Sequence, residues 1–245
     1  MTEDDWLTCR TRPMEMFRFA RTRAGRRKLH LLSCACCRLL WNEFPDWATE
    51  QICRSAILAA ERYADGECSE QEFTDRINEV YTFERMIITR ELADDLAQVA
   101  TLYATFGTVA RDVIQGLEET LQWINAHFSC SRGDDEPNVA IPLVREQICD
   151  RFREILGNPF RLWTVNPSWL GGGLTQPDGR VVPITSDVRN LAEMIDREQA
   201  FDRLPILADA VEEAGFDDRD LLDHLRVGNG HFRGCWALDI LLECD

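Results

Sequence analysis

Hydrophobic positions along most of the chain recur at steps of three and four, the period of a helix with one buried face. Residues 29–44 are apolar on nearly every side of a helical wheel, which predicts a buried helix that ends at Pro45. A second helix is predicted over residues 46–63. The capping-box spacing of Ser69 and Glu72 marks the start of a third.

The middle of the chain is dominated by long helical patterns. No proline occurs between Asp46 and Glu136, and from Leu92 onward the apolar steps are mostly three or four residues. This pattern predicts two long amphipathic helices with a break near Gly107, followed by a further helix over 143–156.

The pattern changes after Pro159, where an aromatic and extended stretch begins. A turn signature at 176–179 precedes Val181 and Val182, which predicts one arm of a small hairpin. Helices resume near Asp187, and the last is predicted over 231–242. The predicted fold is mostly α, a multi-helix bundle with at most one small β-hairpin near 175–185. It comprises a helical body over 1–158 and a smaller C-terminal helical part over 159–245.

Charge is distributed unevenly along the 245 residues. The formal net charge is −16, which excludes a protein that coats nucleic acid or an anionic membrane with its whole surface. However, residues 1–38 carry a net charge of +5 and the remainder −21, so the acidic total conceals a basic end. The hydrophobic fraction of 45% supplies enough apolar material for a packed core and excludes a disordered chain.

The basic end contains an Arg-rich segment over 10–38, with nine basic side chains and one acidic one. Such a segment could bind phosphate, nucleic acid or an acidic protein surface. Docking on an acidic surface, of this chain or of a partner protein, is the favoured interpretation. The candidate binding residues are Arg18, Arg21, Arg23, Arg26, Arg27 and Lys28.

Ten cysteines occur in a chain that shows no export signal and no apolar run long enough to span a membrane. They are therefore expected to be free thiols in a reducing cytoplasm. His30, Cys34 and Cys37 share one helix face and could provide three zinc ligands, with Cys9 or Cys53 as a fourth. The favoured alternative is that these cysteines pack a crowded helix crossing. A reactive thiol would need exposure and a low pKa.

A second set of candidate side chains lies near the C-terminus. His224, His231 and Cys235 are close in sequence to acidic residues, and such a set could support nucleophilic or acid–base chemistry. His231 and Cys235 would share a face of the predicted last helix. The nearby glycines favour a structural role in a tight turn. The acidic neighbours are Asp220, Asp223 and Asp239.

Several segments together resemble an uncharacterised family abundant in planctomycete-type bacteria. The resemblance covers both ends of the chain, leaves the middle open, and implies no reaction, cofactor or catalytic residue. The segments are Trp6-Leu7-Thr8-Cys9, the cysteine helix Leu31 to Arg38, Ala60 to Gly66, Gly157 to Arg161, Asn166 to Leu170, Phe201 to Ala210 and His231 to Asp239.

The sequence thus favours a non-enzymatic protein-interaction module of the bacterial cytoplasm, an adaptor or accessory protein without a membrane segment. The most probable partner is another protein. One alternative is a nucleic-acid-associated accessory subunit that uses the Arg-rich segment 10–38. A second is a zinc-dependent or thiol-dependent enzyme. No catalytic residue is assigned, and no cofactor is expected unless it is zinc.

Overall fold

The apolar periodicity of the chain corresponds to a predominantly helical structure. The computed structural model describes residues 1–41, 47–88, 113–130, 140–165, 173–227 and 230–244. Within these ranges it contains eleven α-helices, two short 3-10 turns and three short strands, so the mostly-α prediction is confirmed. None of the described helices is both long and apolar enough to cross a membrane.

The chain divides into two compact units, residues 1–152 and residues 153–245. The division falls within one helix, six residues before the boundary predicted from the sequence at 158/159. The first unit contains α1 (Glu3–Thr8), α2 (Pro13–Ala20), α3 (Arg26–Cys37), α4 (Trp47–Ala64), α5 (Glu70–Ile88), α6 (Val113–Cys130) and most of α7 (Ala140–Leu156).

Helix α3 lies at the centre of the first unit, packed between α4 and α6. Every residue from Leu29 to Cys37 is buried, as expected for a helix that is apolar on all sides. The helix ends earlier than predicted, at Cys37, and continues as a 3-10 turn over Arg38–Leu40. Residues 42–46, where its predicted end falls, lie outside the described residues.

One buried ion pair joins the end of this helical segment to α4. Arg38 donates from Nε and Nη2 to the two carboxylate oxygens of Glu61, over 2.8 and 2.6 Å. Glu61 is only 5% exposed, and this bidentate partner compensates for the loss of its contact with water. The neighbouring capping prediction also holds, because Ser69 Oγ accepts a hydrogen bond from the Glu72 backbone N–H at 3.1 Å. Of the two long helices predicted in the middle of the chain, residues 113–130 form α6, and the predicted break near Gly107 lies outside the described residues.

The second unit packs a small sheet and four helices around a separate core. Strand β2 pairs with β1 and β3 in antiparallel fashion, with Leu174 opposite Val182. The hairpin is therefore where it was expected, and the two-residue β1 extends it to three strands. The elements are β1 (Thr164–Val165), β2 (Gly173–Thr175), β3 (Val181–Pro183), α8 (Ser186–Glu198), α9 (Leu204–Glu213), α10 (Arg219–Arg226) and α11 (Trp236–Leu242).

The last helix begins later than the sequence indicated. It starts at Trp236 rather than at residue 231, with Cys235 as its N-cap, so His231 lies in the preceding loop. The reason is local, because Gly230 and Gly234 have φ values of +92° and +88°, a region that cannot continue a right-handed helix. The prediction that His231 and Cys235 share a helix face is therefore wrong.

Gly157 allows the first residue of α11 to pack against the chain that follows α7. Its φ of +63° lies in the left-handed region, and a Cβ atom added there would be 2.9 Å from the Trp236 ring. Only glycine satisfies both the backbone conformation and this close approach. Gly157 therefore fixes the position of Trp236 and, through it, the start of α11.

We expect Gly157→Ala to reduce the free energy of unfolding by about 2–4 kcal/mol, from backbone strain together with a steric clash. Gly179→Ala is the matched control, because Gly179 also has a positive φ, +88°, but has nothing within 4 Å of the added Cβ. The measurement is urea denaturation of both variants. Equal losses would show that the Trp236 contact contributes nothing.

Candidate metal centre

Four potential metal ligands converge within the second unit. Glu154 lies in the last turn of α7, His224 on α10, His231 in the loop before α11, and Cys235 at the N-cap of α11. One ligand atom from each lies within 4.8 Å of the other three, and three of the four residues are buried. Among the described residues, no other group of three or more His, Cys, Asp or Glu side chains could hold a metal ion.

The distances between these atoms are those of a small polyhedron. His224 Nε2 is 3.2 Å from Cys235 Sγ and 3.3 Å from Glu154 Oε2. His231 Nδ1 is 3.1 Å from Glu154 Oε1 and 3.8 Å from Cys235 Sγ. Zinc–ligand bonds of about 2.0–2.3 Å place tetrahedral ligands about 3.3–3.8 Å apart. The observed separations therefore require only small side-chain movements to surround one ion.

The orientation of the His231 ring is fixed from its far side. Its Nε2 donates a hydrogen bond to the carbonyl oxygen of Val227 at 2.5 Å. Nδ1 therefore faces Glu154 and Cys235. Histidines that bind metals commonly use the other ring N–H in this way, donating it to a backbone carbonyl that sets the tautomer.

Electrostatics differ between the two histidines. Burial lowers the pKa of His224 to about 4. The charge of Glu154 acts to raise this pKa, and the charge of His231 acts to lower it further. His224 is thus neutral near pH 7, with a lone pair available for a cation. Burial also acts to lower the pKa of His231, but the hydrogen bond and charge of Glu154 outweigh it, so that pKa is raised. When the His231 ring is protonated, it can donate to both Glu154 and Val227.

Cys235 is a neutral thiol in the absence of a cation. Burial, followed by the charge of Glu154, raises its pKa well above the usual value, while the backbone N–H groups of Leu238 and Ala237 act to lower it. These N–H groups lie in the first turn of α11, where they would also stabilise a metal-bound thiolate. A divalent ion at this position would displace the thiol proton, as metal binding to cysteine generally does.

The sequence singled out His224, His231 and Cys235 for nucleophilic or acid–base chemistry, with a structural role favoured, and not for metal binding; the acidic residues considered with them did not include Glu154. Asp220 is paired with Arg161 and Asp223 is exposed. The carboxylate that faces the histidines is Glu154, which precedes His224 by 70 residues. Sequence proximity could not reveal a ligand at that separation, and the available signal was limited to the pattern of two histidines and a cysteine near glycines.

His30, Cys34 and Cys37, the metal ligands predicted from the sequence, are all buried on α3. The His30 ring packs edge-on against Tyr63 and Phe73. Burial raises the pKa of both Cys34 and Cys37 well above the usual value. The four ligands that converge in the described residues lie in the second unit. Zinc binding at His30, Cys34 and Cys37 remains a prediction.

The basic candidates occupy α2, the following turn and the start of α3. Arg18, Arg21, Arg23 and Arg26 are exposed, whereas Arg27 and Lys28 are half-buried. Arg27 Nε is 2.6 Å from Asp65 Oδ1, and the Arg23 guanidinium lies 3.9 Å from the centre of the Phe19 ring. Four of the six predicted side chains are thus placed where a partner could reach them.

Comparison of the chain with protein-family models, curated proteins and solved structures found no match. Inference about function therefore rests on the geometry of the chain itself.

We expect the cysteines of α3 to resist alkylation in the folded protein. Burial raises the pKa of Cys36 to about 12, and a buried neutral thiol is a poor nucleophile. Cys244, which is exposed, serves as the internal control. Iodoacetamide labelling at pH 8 followed by peptide mass spectrometry should modify Cys244 first and Cys34, Cys36 and Cys37 only after unfolding. Rapid labelling of Cys34 or Cys37 in the folded protein would support a thiol-dependent enzyme instead.

Proposed function

We propose that this chain is a non-enzymatic protein-interaction module of the bacterial cytoplasm whose C-terminal unit binds a structural zinc ion. The observation that carries the zinc proposal is the convergence of Glu154, His224, His231 and Cys235 within 4.8 Å of one another. Four protein ligands complete a tetrahedral shell, and such a closed shell is typical of structural zinc.

The chemistry of the ligands favours zinc over other common ions. Magnesium and calcium prefer oxygen ligands, whereas this group combines one sulfur, two imidazole nitrogens and one carboxylate. Charge also balances, because a thiolate and a carboxylate neutralise a divalent cation while the two imidazoles stay neutral. A neutral centre is suited to its buried position, where an uncompensated charge would be strongly unfavourable.

A shell of four protein ligands, with no position left open, also supports a non-enzymatic role. A catalytic zinc keeps one position open for water or substrate, whereas here Glu154 would take the fourth position. Cys235 itself is 0% exposed, and burial raises its pKa, so it lacks the properties of a thiolate nucleophile. The centre would act by holding α10, the loop at His231 and the start of α11 in one arrangement.

We expect the purified protein to contain about one zinc per chain by mass spectrometry of the metal. A chelator should lower the melting temperature, since a ligand held a thousandfold above its Kd stabilises by about 4 kcal/mol. Cobalt substitution should give a thiolate-to-cobalt charge-transfer band that disappears in Cys235→Ser. Glu154→Gln should weaken zinc binding while retaining that band.

Cys244→Ser provides the matched control, because Cys244 is an exposed cysteine in the same unit. It should bind zinc as the unmodified chain does. A chain with no bound metal, unchanged by chelation, would show that the four groups only satisfy one another. The interaction role would be contradicted by turnover of a substrate together with the absence of any binding partner.

A nucleic-acid-associated role is the second candidate, because Arg18, Arg21, Arg23 and Arg26 are exposed near the basic end. We expect that, in this case, affinity for a DNA or RNA duplex falls steeply with salt and is lost in Arg23→Glu/Arg26→Glu. Arg27 is left unchanged, because its pairing with Asp65 supports the fold. Arg197→Glu, at an exposed arginine of α8, is the control, and binding that does not depend on salt would exclude this role.

A further inference from the structure

A cavity of about 350 Å³ opens in the first unit among α2, α6 and α7. Its inner wall is apolar, and Leu121, Val144 and Ile148 are each at most 5% exposed. Pro13 and Met14 at the start of α2 add apolar surface near the opening. A half-open cavity of this size and lining can accept one large apolar side chain with part of its backbone. We call it the α2–α6–α7 groove.

Three guanidinium groups line the same groove, from Arg12, Arg18 and Arg145, against a single carboxylate from Glu15. Arg12 is paired with Glu15 at 2.7 Å, so these two charges largely cancel. Among the residues that the structure describes, no carboxylate pairs with Arg18 or Arg145, so these two supply the uncancelled positive charge of the groove.

Arg145 is held in place by a neutral group. Asn125 Oδ1 accepts hydrogen bonds from its Nε and Nη2 at 3.3 and 3.1 Å. An amide oxygen orients a guanidinium without neutralising its charge. Arg145 is therefore positioned beside an apolar cavity with its charge retained, the arrangement expected where a carboxylate binds bidentately.

We propose that the α2–α6–α7 groove binds an acidic amphipathic segment of a partner protein. A large apolar side chain of that segment enters the cavity, and flanking carboxylates pair with Arg18 and Arg145. This inference rests on the proposed interaction role and names the chemistry of the partner. Charge complementarity selects the partner, and burial of the apolar anchor provides the main gain in affinity.

The lining favours a protein segment over nucleic acid. No aromatic side chain is among the described residues that line the groove, so bases have no stacking surface there. An apolar wall with two separated guanidinium groups matches a peptide that alternates apolar and acidic side chains.

The test uses the full chain and a fluorescein-labelled synthetic peptide in which glutamates flank a central Leu-Phe pair. Fluorescence anisotropy should show saturable binding that weakens when salt is raised. Arg18→Ala and Arg145→Ala should each weaken it about tenfold, the loss typical of a charge-assisted hydrogen bond. Arg197→Ala is the matched control at an exposed arginine of α8 and should leave the affinity unchanged.

Two further peptides separate the two parts of the proposal. Replacing Leu-Phe with Ser-Ser should abolish binding if the cavity accepts an apolar anchor. A lysine-flanked peptide should bind only to Arg18→Glu/Arg145→Glu, a rescue that a general loss of folding cannot produce. Circular dichroism confirms that each variant retains its helical content.

Absence of saturable binding, or binding that is insensitive to both arginines, would overturn the groove assignment. Self-association of the chain that is lost in Arg18→Glu/Arg145→Glu would assign the groove to a second copy and would also overturn it. The zinc measurement is independent, because its ligands lie in the other unit. A chain that binds zinc but not the peptide would therefore reject the groove and leave the zinc centre standing.

Discussion

The arrangement of the second unit depends on one buried carboxylate. Glu154 is 8% exposed, and a carboxylate removed from water strongly destabilises a fold unless charged or hydrogen-bonding groups surround it. The hydrogen bond from His231 Nδ1 to Glu154 Oε1, over 3.1 Å, meets this need, and His224 Nε2 lies 3.3 Å from Oε2. Because these histidines come from the loop before α11 and from α10, satisfying Glu154 also fixes how those elements pack. Glu154 therefore constrains the packing of these elements whether or not a metal is bound.

The side chains that surround the Glu154 carboxylate are also ones that can bind a cation. In the absence of metal, the Glu154 carboxylate favours a proton on His231, because it raises the pKa of that ring. A divalent ion would supply the positive charge in its place and would also offset the thiolate of Cys235. His224, neutral because burial lowers its pKa to about 4, would enter the shell without losing a proton. A proton can thus compensate for the buried carboxylate when no metal is bound, and a metal ion can replace that proton on the same set of side chains.

Much of the fold followed from local pattern, and the main errors came from one glycine backbone conformation and one contact between distant residues. The all-round apolar run at Leu29 predicted a fully buried α3, and the spacing of Ser69 and Glu72 predicted a real cap. The start of α11 was misplaced because apolar spacing does not report the positive φ of Gly234, +88°, which a right-handed helix cannot contain. Glu154 was missed because a ligand 70 residues from His224 becomes a neighbour only once the chain folds.

The two cysteine and histidine patterns of the chain differ in a way that helix geometry explains. His30 and Cys37 are seven residues apart on a continuous helix, and a rise of 1.5 Å per residue separates their Cα atoms by about 10.5 Å. The ligand atoms of a tetrahedral site lie about 3.3–3.8 Å apart, so His30 and Cys37 could share an ion only if their side chains converged across most of that distance. The glycine-rich loop at His231 has no such limit, because its backbone turns back before α11 and brings His231 Nδ1 within 3.8 Å of Cys235 Sγ. The less regular pattern is therefore the one better able to form a compact ligand shell.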